Sequence, residues 1–229
     1  MKDNALSKLG GTCSILAGLA LIVEAVVLLL LPREQQVDPA SCNCADTFLT
    51  SVAHSSTLLR VGFGLLALVA IFSIAAVLAI SARVLAAHEG WVRWTSTLAI
   101  IGLALNAIDL LRRMALESAI ATAYVRGDGA VKAALTVPGA VQSSDPQGWF
   151  KFGGVGLWIL VVSLLALRGG KEPKLLSVVG ILFALAGWLV VAGEVVAQSQ
   201  SAVLIAGGVF ALLAPIWYIW QGLRLRRAG

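Results

Sequence analysis

Charge is what this chain most lacks. Asp, Glu, Lys and Arg make up 13% of its 229 residues, where an ordinary soluble domain carries roughly 25%. Hydrophobic residues reach 59%, and the mean hydropathy is +0.91. A soluble core cannot absorb that surplus, because much of the surface would then be apolar. A water-soluble domain is excluded, and a polytopic membrane protein follows.

Other scarcities exclude further classes. The three cysteines, Cys13, Cys42 and Cys44, are too few for a disulfide framework. The two histidines, His54 and His88, fall in or beside loops, and the two methionines are Met1 and Met114, so axial ligands for an intramembrane haem are missing. No phosphate loop, zinc-ligand spacing or nucleophile elbow is present. No cofactor is expected. The net charge of +5 is spread beside apolar runs rather than gathered in a block, which reads as membrane topology and not as a nucleic-acid surface. Alternation with a period of two is absent, and lipid requires backbone polar groups to be satisfied internally, so helices are the expected element.

What the chain has in abundance is long apolar runs. A spanning helix needs about 20 mainly apolar residues, and six segments qualify: Leu9 to Leu31, Leu58 to Ser81, Trp91 to Arg113, Trp149 to Leu167, Leu175 to Ala197, and Ala202 to Gly222. The first is too long for the roughly 7–15-residue apolar region of a cleavable signal and reads as a retained span. The sequence therefore predicts an all-α bundle of six transmembrane helices forming a single integral membrane domain over residues 1–229.

Lys and Arg set the expected orientation. With both termini cytoplasmic, the inner segments hold Lys2, Lys8, Arg83, Arg93, Arg168, Lys171, Lys174, Arg224, Arg226 and Arg227, ten of the seventeen basic residues. Trp91, Trp94, Trp149, Trp217 and Trp220 are expected in the interfacial belts. Two long outer loops follow, Pro32 to Thr57 and Met114 to Gly148, with a tight outer turn at "QSQS" from Gln198. "MALESAIATAYVRGDG" can extend the third helix outward until Gly127, and Asp145 and Pro146 can cap and start the fourth. A weak repeat relates "RVGFGLL" at Arg60 to "KFGGVGL" at Lys151, with Asp109 and Glu194 on the returning helices.

On this layout the in-span ionisable residues fall in the outer half. Glu24 lies about 10 Å below the outer end of span one at 1.5 Å per residue. Arg60 opens span two, and "NAIDLLRRMALE" places Asn106, Asp109, Arg112 and Arg113 near the end of span three. Glu194 ends span five. Ionisable groups inside a membrane usually face the bundle and pair, or mark a binding or transport path. The bases can snorkel to the interface, but the short side chain of Glu24 must be protonated, paired or reached by water. Glu24, Arg60, Asn106, Asp109, Arg112, Arg113 and Glu194 are the candidate ligand-binding or ion-pair cluster. Cys42 and Cys44 in "SCNC" would be strained if bonded to each other across one residue, so they are weak candidates for intermolecular pairing, a soft-metal contact or no role.

The segments "LLRVGFGLLALV", "EPKLLSVVGILFALAGWLV" and "LLAPIWYIWQGLRL" resemble a bacterial family of six-helix integral membrane proteins, one of the domain-of-unknown-function families. Ile216 stands where that family's pattern would place an acidic residue after the proline. The resemblance implies a bacterial inner-membrane protein and supplies no activity.

Two functions are carried forward. The first is binding, with transport as its extension, of a small or amphiphilic ligand in a polar pocket facing outward. The second is a structural or accessory subunit, packed by glycine-rich faces against other membrane subunits or a second copy. An outer-face enzyme ranks last, having carboxylates but no nucleophile or metal set. The bilayer is the expected partner.

Overall fold

Each apolar run becomes a helix. The computed structural model describes residues 2–36, 44–86, 88–136, 143–170, 173–197 and 200–227. Among them are α1 (Lys2–Leu30), α2 (Ala45–His54), α3 (Thr57–Val84), α4 (Glu89–Arg126), α5 (Gly129–Thr136), α6 (Val155–Gly169), α7 (Lys174–Ala192) and α8 (Gln200–Arg227), with no strand. A 3₁₀ turn, Arg33–Gln35, follows α1, and π-helical turns Trp149–Gly154 and Gly193–Ala197 precede α6 and follow α7. Six of the helical stretches are long and apolar enough to cross a membrane, and the protein is a multi-pass membrane protein. Cys42, the "VPGAVQ" stretch and the turn at Gln198 and Ser199 lie outside the described residues.

The six spans close into a ring in the order α1, α8, α7, α6, α4, α3 and back to α1. The termini share one face, where Gly11 of α1 abuts Gly222 and Arg226 of α8. Helices α3 and α4 run in the same senses as α6 and α7 two places along the ring, an arrangement compatible with duplicated hairpins.

Where opposite helices meet, the centre is filled by aromatic and small residues, with Trp158, Trp217 and Phe183 almost wholly buried. The Trp158 ring stands edge-on to Trp217 at 5.8 Å, and its Nε1–H donates to Ser81 Oγ at 2.9 Å. Trp217 is therefore a core residue and not part of an interfacial belt. It lies seven residues before Arg224, about 10 Å inside the span, and Phe183 and Tyr218 close round it. Trp91 and Trp94 are more than half exposed near the face that carries the termini.

Helix α4 has 38 residues, about 57 Å at 1.5 Å per residue, so it must project from a hydrocarbon layer about 30 Å thick. "MALESAIATAYV" carries no breaker, and α4 continues to Arg126 before Gly127 ends it. Its projecting turns are covered by α2, whose Phe48, Leu49 and Val52 pack with Leu31, Leu59, Ala121 and Tyr124. The described part of the first long loop is thus a helical cap. Tyr124 Oη–H donates to Asp46 Oδ1 at 2.8 Å across this contact. Tyr124→Phe is expected to weaken cap docking by about 1 kcal/mol, read as faster amide exchange over residues 45–54 with exchange in α3 unchanged.

Candidate functional site

Glu24 sits on α1, near its contact with α3. Val27, one turn further along, lies against Gly62 of α3, and Gly64 of α3 faces Met114 of α4. These two close approaches bring the non-terminal ends of α1, α3 and α4 together just below the cap. Between them is a cavity of about 180 Å³, and Glu24 and Arg113 both line it. The walls are apolar, including Val27, Leu59, Phe63 and Leu66, while Gln35, Gln36 and Phe48 form the roof.

The two side chains meet in this space without closing on each other. Among the described residues, no ion pair within 4.0 Å joins Glu24 to Arg113 or Arg60. The Arg113 guanidinium carbon lies 5.9 Å from the Phe63 ring centroid, a cation–π distance. Both Glu24 and Arg113 are half-buried. A carboxylate and a guanidinium held apart between apolar walls can each take an opposite charge from a guest.

Gln35 adds a third polar group. It is 4% exposed, and its Nε2–H₂ donates to Ser51 Oγ at 3.0 Å and to the Ser55 carbonyl at 2.9 Å. Because the Ser55 carbonyl can only accept, these bonds fix the amide orientation. Gln35 Oε1 is then a buried acceptor that no described residue satisfies. Gln36 differs, being exposed with its amide donating to the Leu31 carbonyl at 2.8 Å.

The structure divides the remaining sequence candidates. Asp109 lines neither this cavity nor the groove described below, and serves instead as an anchor. It accepts from Ser143 Oγ–H at 2.8 Å, from the Ser144 backbone N–H at 2.7 Å and from Ser144 Oγ–H at 2.7 Å. Arg112 is exposed and lies within electrostatic range of Asp109. Arg60 is exposed in the first turns of α3, and Asn106 is half-buried on α4; neither lines the cavity. Glu194 is exposed beyond α7, which stands opposite α3 in the ring. Cys13 is a free thiol, whereas Cys44 is disulfide-bonded and offers no thiolate to a metal. No group of three or more His, Cys, Asp or Glu that could hold a metal occurs among the described residues.

The fourth span starts at Trp149 and is capped by Asp145, as expected from the sequence, and only the role given to Pro146 is corrected. The Asp145 carboxylate caps the helix, accepting from the Phe150 and Lys151 N–H groups at 2.8 Å each, but Pro146 is not the first helical residue. Gly148 intervenes with φ of 72°, a left-handed turn, and helical structure begins at Trp149. The Phe150 carbonyl then packs on Gly102 of α4, about 15 Å along α4 from Arg112. Trp149 therefore does not share the level of the arginines. Beside it lies a groove of about 480 Å³ lined by Trp94, Leu98, Gln147, Trp149, Leu157 and Trp188 among others. Asp145 is its sole ionisable lining residue among the described residues, and that carboxylate is already engaged as a cap.

Reasoning from the sequence missed Gln35, Phe48 and Phe63. Phe48, Leu49 and Val52 recur at helical spacing in "ADTFLTSVAH", a legible sign that the loop holds an amphipathic helix. No comparable signal marks Gln35. Compared with protein-family models, curated proteins and solved structures, the chain matches none.

Proposed function

We propose that this protein binds a small or amphiphilic ligand in the capped cavity, with Glu24 and Arg113 as its charged contacts. The observation that carries this reading is that the two line one cavity without forming an ion pair. A closed structural pair would bring opposite charges within 4 Å, because an uncompensated charge at membrane depth is costly. Keeping them apart is sensible where a ligand supplies the missing partners. With the termini placed in the cytoplasm by the Lys and Arg distribution, the cavity lies towards the outside of a bacterial inner membrane. Transport would require a second opening and is the extension of this reading.

Native mass spectrometry of the detergent-extracted protein, offered a panel of zwitterionic, anionic and cationic single-chain lipids, tests it. Wild type should retain at least one lipid adduct that Glu24→Gln and Arg113→Gln each weaken by about tenfold, the effect of one charge-assisted contact. Adducts unchanged in both folded variants would count against a binding site here.

A subunit role is the second reading, favoured by the face of α8. Leu204 and Leu212 are more than 70% exposed, and Gly207 and Gly208 between them have open space where a Cβ would stand. Gentle extraction yielding only monomers would argue against it.

A further inference from the structure

We infer that the capped cavity takes a zwitterionic head group bearing a primary ammonium, of the aminoethyl phosphate type. This assignment rests on the binding reading above and names the chemistry of its guest.

Glu24, Arg113 and Gln35 all line the cavity, beside Gln36 whose amide is already engaged, and each of the three restricts what can enter. Glu24 presents an acceptor with negative charge, which disfavours a purely anionic head group. Arg113 presents donors with positive charge, which disfavours a purely cationic one and favours phosphate or carboxylate. A guest carrying both signs satisfies both ends.

Gln35 Oε1 discriminates among zwitterions. It is buried and lacks a donor among the described residues, while the bonds made by Nε2 prevent the amide from turning round. A buried acceptor left without a donor costs about 1–3 kcal/mol. A primary ammonium has three N–H donors, enough for Glu24 and, once a small shift of the Gln35 side chain uncovers Oε1, for Gln35 together. A quaternary ammonium has none and would leave Gln35 Oε1 unsatisfied.

The size of the space sets where a chain would go. About 180 Å³ accommodates a head group and not an acyl tail. Leu28 lines the cavity yet is 43% exposed, and Leu29 and Leu30 beside it are 79% and 64% exposed. That end of α1 gives an apolar exit from the cavity towards lipid, along which a tail can lie. A free aminoethyl phosphate satisfies the same polar groups without using this exit, so the experiment separates the two sources.

The test is retention by the full-length detergent-solubilised protein of four probes: lysophosphatidylethanolamine, lysophosphatidylcholine, lysophosphatidylglycerol and soluble O-phosphoethanolamine. The ethanolamine lipid should be retained about tenfold better than the choline lipid, as the loss of a buried hydrogen bond requires. Gln35→Leu should reduce that ratio to about one. Gln35 also holds α2, so the wild-type ratio stands as an independent measurement should this variant fail to fold. Retention of the ethanolamine lipid alone supports the head group with a lipid source, and comparable retention of O-phosphoethanolamine supports it with a soluble source. Equal retention of the choline and ethanolamine lipids overturns the assignment. So does preference for the glycerol lipid; if Glu24→Gln weakens that binding, the cavity remains a binding site for a different guest. No probe responding to Glu24→Gln or Arg113→Gln would overturn both the assignment and the binding reading.

Discussion

Gly102→Leu is expected to destabilise the folded protein by about 3 kcal/mol, at the upper end of what overpacking usually costs. A Cβ on Gly102 would overlap the Phe150 carbonyl and crowd the Lys151 nitrogen. These are backbone atoms, so no side-chain rotamer can relieve the clash. The π-helical turn Trp149–Gly154 would have to move away from α4, opening the α4–α6 side of the ring. Thermal unfolding in detergent should show a fall of several degrees. Gly207→Ala supplies the contrast, since open space surrounds that position on α8. Alanine there should be neutral or add up to about 1 kcal/mol through helix propensity.

Asp145→Ala should cost nearly as much, for a different reason. The carboxylate is 6% exposed and accepts two backbone N–H groups. Its removal leaves both donors without their cap beside a helix start that packs deep along α4, at about 1–3 kcal/mol for each unsatisfied group. Asp145→Asn retains one acceptor oxygen and should recover much of the loss. Amide exchange at Phe150 and Lys151 should accelerate strongly in the alanine variant, while exchange in α1 and α3 stays near wild type. Uniform acceleration throughout the molecule would show that Asp145 acts on the whole fold and not as a local cap.

Much of the architecture was legible because a membrane leaves a chain few choices. Lipid cannot satisfy backbone groups, so six long apolar runs imply six helices, although α4 continues well past its apolar run to Arg126. Glu24 stood out for the same reason, as a short acid deep in an apolar run. The grouping with Arg113 was legible from depth along the helices, but depth does not say which face a residue takes. That is why Asp109 and Glu194, placed in the same layer, turn out to lie elsewhere: one anchors the serines at 143 and 144, the other sits across the ring.

Trp217 shows a related limit. A tryptophan one or two turns from a basic tail fits an interfacial belt, yet opposite Trp158 and Phe183 it fills the core. Ring order decided between those positions, and ring order comes from contacts that hydropathy does not encode. The cap was harder still to read. Its helix carries a short amphipathic pattern, but Gln35 is buried only because α2 folds back over the end of α1.

The central claim is that Glu24 and Arg113 are held for a guest and not for each other. A double-mutant cycle of Glu24→Gln and Arg113→Gln on the unfolding free energy of delipidated protein tests it most directly. The two effects should add within about 0.5 kcal/mol, as for groups that do not interact, with Glu24→Gln neutral or stabilising because a carboxylate without a partner is removed. A loss of about 3 kcal/mol or more in each single variant, recovered in the double variant, is the signature of a buried structural ion pair and would contradict the account.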